Sequence, residues 1–583
     1  MTDAIRPRRL LWNDPPAVAL CGLALLVTIA MVALQLSRRS QIFDPESVPI
    51  FERLFLFLDF PASLLYVVAL LLAMVPAVQR AGSGLARALG KNPSLSALVT
   101  FGVLAVGARY AYLAHPLAMD ESAPYMQSRI FASGALVGRF PVALVDWLVY
   151  PQFQGFFIDI SRQSGEVTSA YWPGFALVLT PFTAAGVPWL CNPALGALTV
   201  WVMHRLALAT TGLIEAAGTA VLFTVASAAF VVNSISFYSM TAHLLCNAIF
   251  VLLLLKPTPL RTLAAGTVGG LALTLHNPVP HILFAVPWLL WLMVRRDRLR
   301  LGLAIAAGYL PWVIVAGFGW HHLTESFVPV APDGTITSAI GPIAEMKRQL
   351  FAVLRLPDAM VLDARMVGLA KVWLWAVPAM IPLAAIGFWR RRVDWRFQLL
   401  LASAVLTFVG FMFVPVDQGH GWGFRYFHSA WFVLPLFAAA AVRSPSVSEP
   451  APWNALVRYV QGAAVVGLLV ITPFFAWQVH GFISAHIAQL PAADLGQPHV
   501  VIINPGSGYY SQDLIQNDPF LRDPVAYMVT HGRKQDERMM ARYFPGLVLL
   551  SRDYHGSVWG RPDRSGVNES AASFLVDGDV AKQ

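Results

Sequence analysis

The sequence predicts an α-helical polytopic membrane protein with about 13 or 14 transmembrane helices and a small C-terminal extramembrane α/β domain. Of the 583 residues, 57% are hydrophobic and only 13% are charged, whereas a soluble chain has roughly a quarter charged residues. Apolar runs long enough to cross a bilayer as helices recur from residue 17 to residue 478. Beyond residue 478 the composition changes and shorter apolar segments alternate with polar ones.

The order of apolar runs and basic loops gives a topology. Basic residues within 1–16 precede the first run, and no small-residue cleavage site follows it, which predicts an uncleaved first helix with a cytoplasmic N-terminus. The basic loops 294–300 and 389–396 are also expected in the cytoplasm. The sides assigned from the two ends disagree by one crossing within 171–232, so one run there is expected to be broken, re-entrant or merged with its neighbour. The candidate crossings are 17–36, 62–78, 94–114, 171–189, 193–210, 215–232, 240–256, 262–275, 279–295, 301–319, 367–388, 398–414, 427–442 and 459–478.

The topology divides the chain into three parts. Residues 1–93 form an N-terminal cytoplasmic tail and two transmembrane helices, and residues 94–478 form a membrane core with a long outer loop at 115–170. Residues 479–583 form a soluble α/β domain. The outer loop, residues 320–366 and this C-terminal domain are all expected on the extracytoplasmic side.

Two of these extramembrane parts have recognisable patterns. The stretch "GRFPVALVDWLVYPQFQGFFIDI" in the outer loop is too apolar for a free loop and is predicted to lie on the membrane surface. In the C-terminal domain, "HVVIINP" and "GLVLLS" are predicted as short buried strands with a helix, "KQDERMMARYF", between them.

Two adjacent carboxylates, Asp120 and Glu121, follow an apolar run in the segment "MDESAPYMQSRIF". One interpretation is a solvated pair that caps a helix starting near Ser122, because acidic groups stabilise a helix N-terminus. The other is a site at the membrane–water boundary that binds a lipid-linked substrate. A carboxylate there is suited to take a proton from an attacking hydroxyl or amine.

The segments "MDESAPYMQSRIFASG", "AYWPGFALVLTPF" and "GFRYFHSAWFVLPLF" follow one another in this order. Together they resemble the large C-type membrane glycosyltransferases, which include protein O-mannosyltransferases and lipid A aminoarabinose transferases. The likeness covers most of 94–442, and the two helices ahead of it are a departure from members whose acidic loop follows the first helix. The residues that carry the resemblance are Asp120, Glu121, Tyr125, Arg129, Tyr171, Arg425 and Tyr426.

The resemblance implies an enzyme, a hexosyl or pentosyl transferase. Such enzymes take a sugar from a polyprenyl-phosphate donor and transfer it, usually with inversion, to a lipid, glycan or protein acceptor on the extracytoplasmic face. Asp120 is implied as the general base. Glu121 is implied as a residue that orients the acceptor or the sugar, or that binds a divalent cation in members that use one. No metal site or other cofactor is assigned from the residues themselves.

The leaving phosphate needs cations, because charge grows on it as the glycosidic bond breaks. Arg425 is the favoured cation, since the planar guanidinium fork suits phosphate; an interfacial anchor is the alternative for this residue. For Lys347 and Arg348 the alternative is a solvated helix face. The candidate cations are Arg129, Lys347, Arg348, His420 and Arg425.

A polar hairpin, "LTLHNPVPH", places His276 and His281 between two apolar runs. A polar cluster at that position is a candidate substrate site. The two histidines lie five residues apart across two prolines, which is poor spacing for a helical metal pair, so a hydrogen-bonded turn is the better interpretation. Tyr125, Tyr171, His276 and Tyr426 complete the predicted substrate-binding set.

Other classes of protein fit the sequence less well. A transporter or flippase, the main alternative, is expected to place polar residues deep within its helices. Here the polar residues are expected to gather at one face of the membrane. A polysaccharide polymerase or ligase typically carries its essential residues in a late loop, and a scaffold needs no such cluster. The net charge of +9 is explained by cytoplasmic Lys and Arg, without a nucleic-acid partner. A bacterial cytoplasmic membrane is the expected location.

Overall fold

Helices make up most of the chain as far as Ile487 in the computed structural model. The structure describes residues 15–37, 54, 58–324, 327, 356–414, 420–442, 452–491 and 499–561. The helices up to Thr324 are α1 (Pro15–Ser37), α2 (Phe60–Leu72), α3 (Pro76–Lys91), α4 (Pro93–Tyr110), α5 (Met119–Ala132), α6 (Val145–Leu148), α7 (Gly174–Ala184), α8 (Cys191–Thr211), α9 (Ile214–Val225), α10 (Ala228–Ile235), α11 (Met240–Leu254), α12 (Pro259–Thr274), α13 (Val279–Met293), α14 (Arg298–Trp312) and α15 (Trp320–Thr324). The later helices are α16 (Ala359–Leu374), α17 (Met380–Arg391), α18 (Trp395–Gly410), α19 (Arg425–His428), α20 (Val433–Ala439), α21 (Pro452–Val466), α22 (Thr472–Ile487) and α23 (Arg533–Tyr543).

Six helical stretches among the described residues are long and apolar enough to cross a membrane, and the count rises to eight if each of two bent helix pairs is one span. The predicted class, a helical multi-pass membrane protein with a C-terminal mixed β-sheet region, is therefore confirmed. The count is lower than the 13 or 14 crossings expected from the apolar runs. The six are Pro15–Ser37, Pro93–Tyr110, Pro188–Thr211, Arg298–Thr324, Trp395–Phe413 and Asn454–Ile487.

Three of the predicted crossings coincide with apolar helices of only 10–17 residues, Gly174–Ala184, Met240–Leu254 and Val279–Met293, and two other predicted runs contain a break. The predicted run 215–232 is divided into α9 and α10, which are bent by 62° relative to each other; this is one break in the region where the two topology assignments disagreed. The predicted run 367–388 is divided between the end of α16 and the start of α17. Pro378 lies in that gap, and a proline disfavours helical backbone in the residue before it.

The residues between the predicted crossings 62–78 and 94–114 form a helix of their own. Helix α2 ends at Leu72, and α3 starts at Pro76 with its axis turned by 97°. Proline is well tolerated at the first position of a helix, because its missing N–H has no partner there anyway. The chain therefore turns sharply at this proline and continues as a helix that carries Arg80, Arg87 and Lys91.

A buried ion pair joins the residues before α2 to α16. The Lys371 Nζ lies 2.6 Å from Asp59 Oδ2, and the Trp375 indole N–H donates to Asp59 Oδ1 at 2.8 Å. Asp59 is fully buried and Lys371 is 3% exposed. Removing one partner of a buried pair leaves an uncompensated charge, whereas replacing both with apolar groups of similar volume is often close to neutral.

The described ranges contain nine strands outside the long helices. In the outer loop, β1 (Gly138–Arg139), β2 (Ile158–Ile160) and β3 (Glu166–Ser169) form an antiparallel sheet in the order β1-β3-β2. Strands β4 (His420–Gly421) and β5 (Gly423–Phe424) form a hairpin. The C-terminal sheet has the order β7-β6-β9-β8, and only its β6–β7 pair is parallel. Its strands are β6 (His499–Ile503), β7 (Val525–Val529), β8 (Val548–Arg552) and β9 (Gly556–Gly560).

The C-terminal domain contains the predicted elements and two more strands. The segments predicted as buried strands form β6 and β8, and the predicted helix is α23. Strand β6 is buried as predicted, whereas every residue of β8 is exposed, so the predicted burial of that strand was wrong. Strands β7 and β9 were not predicted. They flank the predicted strand β6 on both sides.

The apolar part of the outer loop is buried against this domain, which corrects the prediction that it lies on a membrane surface. Phe140, Leu148 and Ile158 pack in one cluster with Val500 and Met528 of the C-terminal sheet. Burial in a shared core accounts for the apolar composition of the loop. The outer loop and the C-terminal domain therefore lie on the same side of the helical bundle.

The ion pair gives a test of the membrane part. We expect Asp59→Asn or Lys371→Met alone to destabilise the protein by about 3–5 kcal/mol, because each leaves one buried charge without its partner. The double variant Asp59→Asn/Lys371→Met should recover much of that loss. Thermal unfolding of the detergent-purified protein measures these stabilities. If the double variant loses as much stability as the two single variants lose together, the pairing is contradicted.

Candidate active site

Asp120 lies in the first turn of α5, and its carboxylate has partners from two distant segments. The Tyr171 hydroxyl donates to Oδ1, and the Arg425 Nη1 donates to Oδ2 at 2.7 Å. The Asp120 side chain is 15% exposed and that of Arg425 is 9% exposed. Three residues predicted from separate motifs are thus in direct contact.

The surroundings keep Asp120 ionised. Burial alone raises the pKa of a carboxyl group, but the Arg425 charge, the nearby His276 and the Tyr171 hydrogen bond together bring the pKa of Asp120 below its ordinary value. The N-terminus of a helix also favours a negative charge. Asp120 is therefore a carboxylate at neutral pH and can accept a proton.

Tyr171 reaches Asp120 because the start of α7 packs closely against the end of α12. A Cβ atom at Gly174 would lie 2.4 Å from the Thr274 Oγ1, so only glycine fits there. The Trp172 N–H donates to the His276 carbonyl at 3.3 Å. The rings of Tyr171 and His276 lie 4.2 Å apart between centroids, so His276 is beside the tyrosine that contacts Asp120.

Arg425 follows directly after the β4–β5 hairpin. Gly423 in this hairpin has a φ of +76°, a left-handed conformation that glycine adopts without steric cost. The Arg425 Cζ lies 4.9 Å from the centroid of the Tyr238 ring, a distance at which the ring face attracts a cation. Tyr238 was not identified from the sequence.

Glu121 has a different environment from its neighbour. It is fully buried. Its Oε1 accepts from the Tyr112 hydroxyl and the Phe237 N–H, both at 2.8 Å. Its Oε2 accepts from the Leu117 N–H at 2.7 Å and the Ala118 N–H at 3.3 Å. The carboxylate therefore caps the N-terminal turn of α5 from within the protein, whereas the capping interpretation placed it in solvent.

A chain of hydrogen bonds connects Glu121 to the hairpin that precedes Arg425. The Trp422 indole N–H donates to the Tyr112 hydroxyl at 3.0 Å, and this hydroxyl donates to Glu121. Burial raises the pKa of Glu121 to about 7, although these hydrogen bonds oppose the shift. The chain fixes the position of α5 relative to the β4–β5 hairpin, and hence that of Asp120 relative to Arg425.

A third carboxyl group, Asp513 of the C-terminal domain, contacts the same helix end. The Met119 N–H donates to Asp513 Oδ1 at 2.6 Å. Burial raises the pKa of Asp513 to about 8, and the charges of Asp120 and Glu121 add to the increase. Asp513 was not predicted as a site residue because it lies in "NPGSGYYSQDLIQNDP", which matches no known motif, and because its partner Met119 is 394 residues away in the sequence.

Arg129 does not reach Asp120. Nine residues of helix separate the two, about 13 Å along the axis. Its Nη1 and Nη2 donate to both carboxylate oxygens of Asp523 at 2.9 and 2.8 Å, and Nη2 lies 2.8 Å from Asp518 Oδ2. Arg129 therefore attaches the C-terminal end of α5 to the C-terminal domain.

A cavity of about 220 Å³ lies on another face of α5, between this helix, the outer loop and the C-terminal domain. Asp120 does not line it. The side chain of Tyr125 does, and its ring lies 5.8 Å from that of Phe237. The cavity is thus adjacent to the Asp120 cluster and separate from it. Its lining includes His115, Met119, Ser122, Tyr125, Phe140 and Gln516.

Tyr426 is a packing residue. Its ring is stacked on Phe411, with centroids 4.6 Å apart and an interplanar angle of 9°. The guanidinium carbon of the buried Arg365 lies 4.7 Å from the same ring. These contacts pack the ring of Tyr426 between Phe411 and Arg365, one residue after Arg425 in α19.

The other predicted residues have separate positions. The backbone of His420 pairs with Phe424 in the β4–β5 hairpin. Lys347 and Arg348 lie outside the described residues. His281 makes hydrogen bonds of 2.7 Å to Asn247 and to Tyr309 through its two ring nitrogens, as the hydrogen-bonded interpretation predicts. In the described part of the chain, no group of three or more His, Cys, Asp or Glu residues is placed to hold a metal ion.

Comparisons with known proteins give a structural similarity only. No protein-family model and no curated protein matches the sequence. The structure is similar to ArnT from Cupriavidus metallidurans bound to undecaprenyl phosphate, with a TM-score of 0.49, and to the apo state of that protein, with a TM-score of 0.46. In both comparisons the identity is 13%, and the alignment covers 79% of this chain and 97% of the other. The contacts around Asp120 are therefore the basis for a functional proposal.

The raised carboxyl pKa values predict how stability depends on pH. The pKa of Asp513 rises from 3.8 to about 8 and that of Glu121 from 4.5 to about 7. At a pH between the ordinary and the raised pKa of each group, the folded protein binds more protons than the unfolded chain. The free energy of unfolding therefore decreases as the pH rises from about 4 to about 8. Asp513→Asn should flatten this dependence, because the amide still accepts from Met119 and does not titrate.

Melting temperatures measured between pH 5 and pH 8 test this. The exposed Glu537, paired with Arg533 on the C-terminal domain, offers a matched control as Glu537→Gln. The control should keep the wild-type slope. An Asp513→Asn protein with the same slope as the wild type would show that this carboxyl group does not titrate in the range.

Proposed function

We propose that this chain is a membrane glycosyltransferase that moves a sugar from a polyprenyl-phosphate donor to an acceptor on the extracytoplasmic face. Asp120 is the general base, and Arg425 binds the leaving phosphate. The contact between the two supports this assignment most strongly. The Asp120 carboxylate and the Arg425 guanidinium are 305 residues apart in the sequence, yet they lie 2.7 Å apart and are nearly buried. Transfer at one carbon atom needs a base and a phosphate-binding cation close together.

The reaction then proceeds as a single displacement. Asp120 takes the proton from the acceptor's hydroxyl or amine, and the oxygen or nitrogen forms a bond to the anomeric carbon. The bond from that carbon to the phosphate oxygen breaks, and its electron pair stays on the phosphate. Attack and departure on opposite faces of the sugar invert the configuration of the anomeric carbon.

Arg425 has two effects in this scheme. Its guanidinium fork stabilises the charge that grows on the phosphate. Its pairing with Asp120 also lowers the pKa of that carboxyl group and makes it a weak base before the donor binds. A phosphate that shares the guanidinium reduces this counter-charge, so donor binding makes Asp120 more basic.

We assign Glu121 a positioning role. Its two oxygens already accept four hydrogen bonds from the protein, so it holds the first turn of α5 without contacting the sugar. Arg425 supplies the positive charge that the leaving phosphate needs. The scheme therefore includes no metal-dependent step.

The remaining predicted residues are assigned by position. Tyr171 orients the Asp120 carboxylate, and His276 supports the Tyr171 ring. Arg129 attaches the C-terminal domain and does not bind phosphate. A bacterial cytoplasmic membrane, with the C-terminal domain outside, is the proposed location; the outer loop that carries Asp120 packs against that domain, and the densest basic loops are 294–300 and 389–396.

Replacement of the base tests the proposal. Asp120→Asn should lower transfer by about 10²–10⁴-fold, because a neutral amide cannot take the acceptor's proton. The measurement compares lipids and surface glycans, by mass spectrometry, from cells without the protein and from cells complemented with each variant. The glycan that disappears on deletion should return with the wild-type protein and stay absent with Asp120→Asn.

The matched control is Asp146→Asn, which removes an exposed outer-loop carboxylate paired with Arg162. This variant should restore the glycan fully. If Asp120→Asn also restores it, at equal amounts of protein in the membrane, Asp120 is not the base and transport of a lipid-linked substrate becomes the better explanation.

A further inference from the structure

The connection between the parallel strands β6 and β7 contains a tyrosine in an unusual backbone conformation. Tyr510 has a φ of 57° and a ψ of 22°, a left-handed conformation that is uncommon and costly for a residue with a side chain. Gly506 and Gly508 are close by in the sequence but are not the residues in this conformation. This backbone conformation sets the direction in which the Tyr510 side chain leaves the loop.

The side chain of Tyr510 packs toward the β4–β5 hairpin that precedes Arg425, because its neighbour Phe482 in turn lies 5.8 Å, between ring centroids, from Trp422 in that hairpin. Its ring lies 6.4 Å from that of Phe482 in α22. Burial and the charges of Asp513 and Asp120 raise the pKa of its hydroxyl, while Arg425 opposes the shift. The hydroxyl is thus protonated at neutral pH and within electrostatic range of both Asp120 and Arg425.

This hydroxyl differs from the other tyrosine hydroxyls nearby. The hydroxyl of Tyr171 donates to Asp120, and that of Tyr112 donates to Glu121. The hydroxyl of the half-buried Tyr510 has no hydrogen-bond partner within the described ranges of the chain. A polar group in a partly buried site normally has a partner, so this donor is available to a ligand.

We infer that Tyr510 is a donor-binding residue whose hydroxyl donates a hydrogen bond to a phosphate oxygen of the polyprenyl phosphate beside Arg425. The inference rests on the proposed function and extends it to the C-terminal domain. Asp120 already accepts from Tyr171 and Arg425, so its two oxygens are engaged. A phosphate at the guanidinium offers unoccupied acceptor oxygens, and a neutral donor there adds to the stabilisation of its charge.

The attachment of the domain supports this position. The Asp513 side chain, three residues after Tyr510, accepts from the Met119 N–H, and the Gln516 amide donates to the Pro116 carbonyl at 2.8 Å. These contacts fix the loop at the start of α5. Tyr510 therefore keeps a constant position relative to Asp120.

The binding of undecaprenyl phosphate, the lipid in the ArnT structure, to the purified full-length protein provides the test. Tyr510→Phe should weaken binding by about tenfold, the effect of losing one hydrogen bond to a charged group. The variant keeps the aromatic ring, and phenylalanine has the same difficulty as tyrosine in adopting the left-handed backbone conformation. Its melting temperature should therefore equal that of the wild type. Tyr554→Phe is the matched control: Tyr554 is exposed in the same domain, with its hydroxyl bonded to the Gly506 carbonyl, and its loss should leave binding unchanged.

Arg425→Gln separates the two proposals. If it weakens binding while Tyr510→Phe binds as the wild type does, the inference about Tyr510 is wrong and the proposed function stands. If the wild-type protein does not bind the lipid, or Arg425→Gln binds it equally well, the phosphate site is wrong and the role of Tyr510 fails with it.

Discussion

The contact between Asp120 and Arg425 is the interaction on which the arrangement of the site depends. Taking a carboxylate and a guanidinium out of water is costly unless further polar contacts compensate both groups. Tyr171 supplies such a contact to the carboxylate, and the Tyr238 ring lies against the guanidinium. The segments that carry these partners come from four separate parts of the chain. Their packing is therefore organised around one charge pair at the edge of the helical bundle.

Two adjacent carboxylates acquire opposite properties in this packing. Asp120 and Glu121 are about 100° apart around the helix, so they face different surroundings. The pKa of Asp120 is lowered by a cation and a hydroxyl, whereas burial raises the pKa of Glu121 despite four hydrogen bonds. Environment, and not residue type, separates the proton acceptor from the structural anchor. The hydrogen bonds of Glu121 to Tyr112, and of Tyr112 to Trp422, then transmit this anchoring to the hairpin that precedes Arg425.

The sequence predicted the parts of the site that depend on motif order and missed those that depend on long-range packing. Composition predicted the membrane helices, and the motifs predicted Asp120, Tyr171 and Arg425, which the structure brings together. Apolar length did not predict where α9 and α10 separate, because a bend is a local backbone property that hydropathy does not report. Asp513 and Tyr510 were missed because their position is decided by the docking of a domain hundreds of residues away. Arg129 was predicted as a cation of the site, but it lies nine residues along α5 from Asp120, about 13 Å along the helix axis.

The same docking makes the C-terminal domain part of the structure that supports the candidate site. Helix α5 is held at its start by Asp513, through the Met119 N–H, and near its end by Asp523, through Arg129. A helix fixed at both ends cannot rotate or slide, so the Asp120 carboxylate has a defined direction before any substrate binds. Such preorganisation is what makes fixed charges and dipoles effective in stabilising a transition state. In the proposed mechanism, the C-terminal domain therefore contributes by restricting the helix that carries Asp120.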